Sequence, residues 1–335
     1  MLTIDRLESS DELETAKIFD PYLCYVGMPL KGVFYPLGFP LELVTNSEKV
    51  LEAAEESWGE FSQQFEIAPI QLRIGVLEDG SIECPTGPVF RAHLNILVGI
   101  ADVSNFCITD VVQGSSFAWL TAAATSHRNY LRYHYLEAVA LAHIANRYSA
   151  PIHAACVELD GHGVLLCGES EAGKSSLSFA CARAGWTYIS DDASFLLNGR
   201  SDRRVVGNCH MVRLRPSARE LFSEVEGKPL TPRVTGKPSI ELRTATMPDI
   251  ARAESSDVSS IVFLNRKDPD VQELVPFARE SAQKFIDQRL FGLEELRKRQ
   301  DASVARLLSA GIYELRYRDL EWAVDRLARL VRESR

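Results

Sequence analysis

The chain has 335 residues, which is enough for two domains of ordinary size, and 46% of them are hydrophobic, which is enough to fill two cores. The formal net charge of -9, without any long run of Lys or Arg, disfavours binding to nucleic acid or to anionic membranes. The chain contains no apolar stretch of about 18 residues, and its acidic beginning does not fit a signal peptide, so we expect a cytoplasmic protein.

The cysteines predict free thiols. Their number, seven, is odd, none stands in C-x-x-C spacing, and several fall in apolar strand or helix patterns. Buried cytosolic thiols explain this pattern better than disulfides or zinc ligands do. The seven are Cys24, Cys84, Cys107, Cys156, Cys167, Cys181 and Cys209.

The first part of the chain, 1–148, is predicted to be an α+β domain. A charged arm covers about the first 20 residues, and a β-like stretch punctuated by Gly and Pro follows. Further on, the hydrophobic pattern predicts one short helix, three strands and one long helix, at 48–61, 70–76, 94–98, 105–112 and 126–147. We find no catalytic constellation in this part of the sequence.

Three histidines lie on the long predicted helix. His127, His134 and His143 are separated by seven and nine residues, whereas metal ligands on one helix face are three or four residues apart. We therefore predict packing or surface roles for them.

The stretch from Gly168 to Ser175 fits the Walker A pattern G-x-x-x-x-G-K-[ST] at every fixed position. Such a loop wraps phosphate with backbone N–H groups and with the positive end of the following helix. The predicted nucleotide-binding residues are Gly168, Glu169, Ser170, Glu171, Ala172, Gly173, Lys174, Ser175 and Ser176. Lys174 would reach the β- and γ-phosphates, and the Ser175 hydroxyl would ligate Mg²⁺.

Both flanks of this loop suit a strand–loop–helix unit. An apolar run at 163–167 predicts a buried strand before it, and a stretch without Gly or Pro at 176–184 predicts a helix after it. The strand predicted at 152–159 is separated from the loop strand by the short turn 160–163. A turn of four residues allows only an antiparallel hairpin, which is unusual before a phosphate-binding strand.

A pair of carboxylates follows the loop helix. The strand at 186–192 ends in Asp191 and Asp192, and a strand parallel to the loop strand would bring them beside the phosphates. The chain beyond is predicted to be β-rich, with a hairpin at Asn198–Gly199, a short helix at 217–225 and a late buried strand at 260–264. Two helices at 278–290 and 293–309, a strand at 312–317 and a helix at 319–332 complete the chain.

In order and spacing, these residues resemble the HPr kinase/phosphorylase-like kinases, whose nucleotide domain is related to that of ATP-dependent phosphoenolpyruvate carboxykinase. His153 stands 15 residues before Gly168, the turn before the loop reads Gly-x-Gly-Val-Leu, and the aspartate pair stands 17 and 18 residues after Lys174. The resemblance covers 151–197, and more weakly the chain to about 265. It implies an α/β (α+β) fold with an N-terminal domain at 1–148, a P-loop nucleotide domain at 149–270 and a C-terminal helical segment at 271–335.

The chain departs from that family in two places. The downstream Arg-Gly-Leu-Gly signature of true HPr kinases is missing, so HPr itself is a poor substrate prediction. Glu171 occupies a position where glycine is common, and its side chain would have to turn outward. The α-subunits of G proteins resemble this chain in carrying Glu there.

The resemblance implies transfer of the γ-phosphoryl group of ATP, or another nucleoside triphosphate, to a serine-type hydroxyl acceptor, with Mg²⁺. Asp191 would be the catalytic base and Asp192 a metal ligand beside Ser175, or the two aspartates would exchange these roles. His153 would orient the base. Arg213, Arg215 and Lys237 are candidates for a further cation on the transferred phosphate.

The sequence allows alternatives in three respects. A nucleotide hydrolase or switch, and a non-catalytic nucleotide-binding module, are the alternatives to a kinase. The acceptor is not specified: a protein, a peptide or a small molecule would each fit. The oligomeric state is also open, a homo-oligomer included.

Overall fold

Two β-sheets organise the structure, which is a computed structural model. It describes residues 26–231, 238–267, 270–288, 290 and 294–333. Helices and strands form a mixed α+β arrangement. Within the described ranges, no helix is long and apolar enough to cross a membrane.

The first sheet has seven strands in the order β1-β2-β3-β7-β6-β5-β4. Its central pairs β2–β3 and β3–β7 are parallel and its other pairs are antiparallel. Strand β7 was not among the predicted elements. The strands are β1 (Leu30–Phe34), β2 (Leu41–Thr45), β3 (Ile70–Leu77), β4 (Val89–His93), β5 (Ile96–Asp102), β6 (Asn105–Asp110) and β7 (Ser115–Thr121).

One helix packs on this sheet through a single apolar face. Helix α1 (Glu48–Trp58) buries Val50, Ala53, Ala54 and Trp58, which follow the spacing of about 3.6 residues per turn. The predicted end of this helix, at residue 61, is three residues beyond its observed end. A short 3₁₀ turn, Pro36–Gly38, lies between β1 and β2.

The predicted long helix at 126–147 is divided into four pieces. The chain leaves helical geometry at His127, whose φ and ψ are −87° and 80°. Beyond it, six residues form a π-helical turn, a local widening that is frequent at functional sites. The pieces are α2 (Ala122–Ser126), α3 (Arg128–Leu131), the π turn (Arg132–Glu137) and α4 (Ala138–Arg147).

The second sheet has nine strands, with the path β11-β9-β10-β16-β13-β12-β8 and with β18 and β17 joined to it through β16. The Asn198–Gly199 hairpin is confirmed, since β12 and β13 pair antiparallel. The strands are β8 (Ser149–Ile152), β9 (Ala154–Leu159), β10 (His162–Cys167), β11 (Thr187–Ser190), β12 (Ser194–Leu197), β13 (Arg204–Gly207), β16 (Ser255–Asn265), β17 (Glu273–Pro276) and β18 (Gly311–Arg316).

The hairpin expected before the glycine-rich loop is present. Strands β9 and β10 pair antiparallel, with Ala154 opposite Cys167. The strand predicted at 152–159 is, however, broken at His153: β8 pairs with β12, whereas β9 pairs with β10 and β11. Two consecutive strands, β8 and β9, thus lie at different positions in the sheet.

Helices cover both faces of the second sheet. The loop helix is α5 (Lys174–Arg183), and the segment 271–335 adds α6 (Arg279–Asp287), α7 (Glu294–Leu307) and α8 (Leu320–Glu333). That segment was predicted to be mainly helical, and it also contributes β17 and β18 to the sheet. A separate pair, β14 (Met211–Leu214) and β15 (Ile240–Arg243), lies between β13 and β16 in sequence. The short helix expected at 217–225 consists of two 3₁₀ turns, Pro216–Glu220 and Ser223–Val225.

The two sheets share a hydrophobic core. Phe195, Leu197 and Val206 belong to strands of the second sheet, yet they pack in the cluster that fills the first sheet and its helices. All three are at least nine-tenths buried. Residues on both sides of the boundary predicted near residue 148 therefore contribute to one core.

The predicted thiols and histidines are placed as follows. Five of the six cysteines in the described ranges are buried free thiols, whereas Cys84 is exposed, which corrects the prediction for that residue. Cys24 lies outside the described residues.

His134 and His143 are buried packing residues. Burial lowers the pKa of His143 to about 4.

The buried His143 should make the protein acid-sensitive. Its imidazole is neutral when folded, so the unfolded chain binds a proton that the folded chain does not, and stability should fall as the pH drops from about 6.5 towards 4. Each pKa unit corresponds to about 1.4 kcal/mol, so this loss should reach about 3 kcal/mol. Urea unfolding of the wild type and of His143→Gln at several pH values would measure it.

His93→Gln is the matched control, because His93 is exposed on β4. It should keep the wild-type slope of unfolding free energy against pH, whereas His143→Gln should flatten that slope. Equal slopes for all three proteins would show that His143 does not govern the acid sensitivity.

Candidate functional site

The reversed strand β9 determines which residues meet at one edge of the second sheet. Strands β10 and β11 both end where β9 begins, because each pairs antiparallel with it. The residues that follow β10 and β11, starting at Gly168 and Asp191, therefore flank His153, which precedes β9. The sequence had predicted Asp191 beside the loop, but through a parallel neighbour, and β9 lies between the two strands.

The loop between β10 and α5 is tightly packed at its second glycine. Gly173 has a φ of 99°, in the left-handed region that favours glycine. A Cβ atom there would lie 2.7 Å from the Tyr317 hydroxyl. The glycine thus lets the first turn of α5 approach the end of β18.

Lys174 places a buried positive charge at the start of α5. Its side chain is almost fully enclosed, with 5% of the residue exposed. The Nζ atom donates hydrogen bonds to the main-chain oxygens of Gly168 at 3.0 Å and Glu169 at 3.2 Å. The ammonium group therefore lies inside the loop, where the N-terminal end of a helix also favours an anion.

Asp191 is tied to both the loop helix and the β14 strand. The Ser175 hydroxyl donates to its main-chain oxygen at 3.3 Å, and its Oδ2 accepts the Arg213 main-chain N–H at 2.6 Å. Burial raises the pKa of this carboxyl to about 6, with a further increase from Asp192 and an opposing effect of Arg213. It is the most protected carboxylate at this edge of the sheet.

Asp192 differs from its neighbour in exposure. Its side chain is 57% exposed, and its Oδ1 lies 3.5 Å from Nδ1 of His153, whose side chain is 32% exposed. Two adjacent carboxylates thus have different surroundings, one enclosed and one facing solvent. Such asymmetry allows one of them to move a proton while the other holds a cation.

The candidate cations are distributed unevenly around these groups. The Arg213 guanidinium lies 3.0 Å from Glu241 and 3.5 Å from Glu137, so its charge is already balanced. Arg215 lines the same cavity as Lys174, and Lys237 lies outside the described residues. Arg266, which was not predicted, also lines the cavity and packs over the Tyr317 ring at 5.5 Å.

Arg266 could have been found from the sequence. It comes one residue after β16, the parallel neighbour of β10, and the carboxyl ends of parallel strands meet at one edge. The predicted buried strand at 260–264 already marked that position.

These groups surround a cavity of about 980 Å³. Of the predicted nucleotide-binding residues, Ser170, Glu171 and 173–176 line it, together with His153, Asp191 and Asp192. Seven further lining residues come from the first part of the chain, in which the sequence predicted no site residue. They are Pro36, Leu37, Ser57, Trp58, Phe61, Glu137 and Leu141.

The residues present fit a nucleotide with a magnesium ion. No group of three or more His, Cys, Asp or Glu side chains in the described ranges could hold a metal by itself. Mg²⁺ at phosphates needs few protein ligands, because phosphate and water oxygens complete its octahedron. The Ser175 hydroxyl and the exposed Asp192 carboxylate are oxygen donors of the required kind.

Comparisons with known proteins do not identify a family for this chain. No family model matches the chain, and no curated protein matches it. The solved structures similar to it include an HPr(Ser) kinase/phosphatase from Coxiella burnetii, with 17% sequence identity and a TM-score of 0.30. That match covers 55% of this chain and 98% of the other. A TM-score this low indicates nothing about the function of the cavity.

Glu171 carries backbone strain that a glycine would relieve. Its side chain is exposed, and its φ is 69°, in the left-handed region, which costs a non-glycine residue about 1–2 kcal/mol. Glycine loses about 0.5–1 kcal/mol more backbone entropy on folding. Glu171→Gly should therefore raise the free energy of unfolding by about 0.5–1 kcal/mol, measured by urea denaturation.

Glu169→Gly is the matched control in the same loop. Glu169 is also exposed but is not among the residues with positive φ, so this substitution should lower stability. If both variants changed stability in the same direction, strain at Glu171 would not be the cause.

Proposed function

We propose that this chain transfers the γ-phosphoryl group of ATP, or of another nucleoside triphosphate, to a hydroxyl group. The observation that carries the proposal is the convergence of a buried lysine and two aspartates on one cavity. Lys174 lies inside the loop, and the Ser175 hydroxyl is 3.3 Å from the main-chain oxygen of Asp191. Phosphoryl transfer depends on positioning and on charge stabilisation, and these groups supply both.

The loop would hold the phosphates. Its backbone N–H groups and the N-terminal end of α5 attract an anion, and Lys174 adds a full positive charge. The Lys174 ammonium group now donates to two loop carbonyls, which places it where it would meet a phosphate oxygen wrapped by the same loop. Arg266 and Arg215, which line the cavity, would neutralise the remaining charge.

Ser175 and Asp192 would hold Mg²⁺. When bound, the ion would neutralise phosphate charge and orient the phosphates for in-line attack. Asp192 suits this role because its carboxylate is exposed to the cavity.

Asp191 would accept the proton of the attacking hydroxyl. The Arg213 N–H fixes one of its carboxylate oxygens at 2.6 Å, which limits the directions the side chain can take. The exchanged assignment, with Asp192 as the base, has one observation in its favour: His153 lies 3.5 Å from Asp192 and would orient it. Both assignments use the side chains of Asp191, Asp192 and His153.

Two substitutions test the proposal. Lys174→Ala should abolish binding of Mg²⁺–ATP, measured with a fluorescent ATP analogue. Asp191→Asn should retain nucleotide binding within a few-fold but should reduce transfer from labelled ATP about 10²–10⁴-fold, the usual contribution of a general base. Free serine, serine-ended peptides, HPr-like proteins and small alcohols would be the acceptors.

Asp160→Asn is the control for the aspartate variant. Asp160 lies in the turn between β9 and β10, at the other end of these strands, and asparagine tolerates its positive φ of 53°. It should behave as the wild type. Fast phosphate release without any acceptor would point instead to a hydrolase or switch, and nucleotide binding without turnover to a non-catalytic module.

A further inference from the structure

The cavity extends well beyond the loop that would hold phosphates. Its volume of about 980 Å³ is at the upper end of the range of about 300–1,000 Å³ that accommodates one drug-sized ligand. Part of its lining comes from the loop, Asp191 and Asp192. Another part comes from the first part of the chain, whose residues have no role in the proposed phosphate contacts.

The side formed by the first part of the chain is largely apolar. We call Pro36, Leu37, Trp58, Phe61 and Leu141 the apolar wall. Three of its members belong to the hydrophobic core, and Leu37 and Trp58 are each 4% exposed and Phe61 is 8% exposed. The apolar surface that they present to the cavity is therefore small, which suits a small molecule.

The polar groups beside this wall are already paired. Glu137, at the end of the π turn, accepts the Ser57 hydroxyl at 3.1 Å and lies 3.2 Å from Arg132 and 3.5 Å from Arg213. The carboxylate at this side of the cavity therefore faces two guanidinium groups. A charged ligand would lose its hydration beside this wall without gaining a side chain to balance its charge, which costs free energy. An uncharged ligand would not incur that cost.

We propose that the apolar wall is the acceptor subsite and that the acceptor is a small, uncharged compound with an apolar body and a hydroxyl group. This inference rests on the proposed phosphotransfer and specifies its substrate class. The apolar body would lie against Trp58 and Leu141, with the hydroxyl directed at the aspartates. The nucleoside would lie against a different part of the lining, which includes Pro216, Leu221 and Pro238.

The transfer step balances without any further reactant. The acceptor oxygen forms a bond to the γ-phosphorus while the bond between that phosphorus and the β,γ-bridging oxygen breaks. The bonding electron pair leaves on the nucleoside diphosphate, and the hydroxyl proton passes to an aspartate carboxylate. Nothing is oxidised or reduced.

Acceptor selectivity is the first test, with the full chain, labelled ATP and Mg²⁺. Benzyl alcohol is the probe for an uncharged apolar alcohol, and glycerol and free serine are the polar comparisons. One methylene group in a hydrophobic pocket discriminates by about 10–200-fold, so kcat/KM for benzyl alcohol should exceed both by at least about tenfold. Preference for serine, or for a serine-ended peptide or an HPr-like protein, would overturn the inference.

Two leucine variants separate the acceptor subsite from the nucleotide site. Leu141→Arg, in the apolar wall, should raise KM for benzyl alcohol at least about tenfold while the Kd for the ATP analogue stays within about twofold. Leu221→Arg, in the lining assigned to the nucleoside, should raise the Kd for the ATP analogue at least about tenfold. Its KM for benzyl alcohol should stay within about twofold. Val103→Arg is the control, because Val103 is 89% exposed and does not line the cavity. Equal loss of nucleotide affinity in both leucine variants would contradict the assignment.

A binding measurement keeps the test decisive if Leu141→Arg fails to fold. With Mg²⁺–ADP present, benzyl alcohol should change the tryptophan emission of the wild type, and Trp58→Phe should remove that change. Absence of any change in the wild type would overturn the apolar wall as a ligand site. If emission changed but no acceptor were phosphorylated, phosphotransfer would be wrong, and the wall would still be a binding site for uncharged apolar compounds.

Discussion

The antiparallel pairing of β9 with both β10 and β11 is the constraint on which the site depends. Main-chain hydrogen bonds set Ala154 opposite Cys167 and Cys156 opposite Ser190, so the start of β9 lies at the ends of its two neighbours. His153, the loop and the aspartate pair are therefore brought together by backbone geometry. A shift of this register by one residue would reverse the faces of β9 and separate these groups.

Arg213 links this edge of the sheet to the first part of the chain. Its main-chain N–H holds Asp191, while its guanidinium lies against Glu137 of the π turn and Glu241 of β15. Burial by itself would lower the pKa of Arg213, but these carboxylates raise it, so the residue remains charged in the interior. An ion pair in these surroundings adds little net stability, because the cost of desolvating the charges offsets their attraction. The orientation of Asp191 thus depends on a helix that is distant in sequence.

Local patterns predicted the elements that need only neighbouring residues. The loop between a buried strand and a helix, the hairpin before it and the aspartates at a strand end all follow from periodicity, turn residues and spacing. Strand order does not: that β9 separates β10 from β11, and that Arg266 joins the cavity, depends on pairings distant in sequence. Ser57, Trp58 and Glu137 gave no signal because an amphipathic helix carries such residues for packing alone.

The core shared by the two sheets has a consequence for the history of this sequence. Phe195, Leu197 and Val206 fit a cluster built mostly by the first part of the chain. A recombination event that exchanged only the first 148 residues would leave these three side chains facing a surface to which they are not matched. Viable descendants would have to alter both halves together, so the two parts are expected to be inherited as a unit and to covary across this contact.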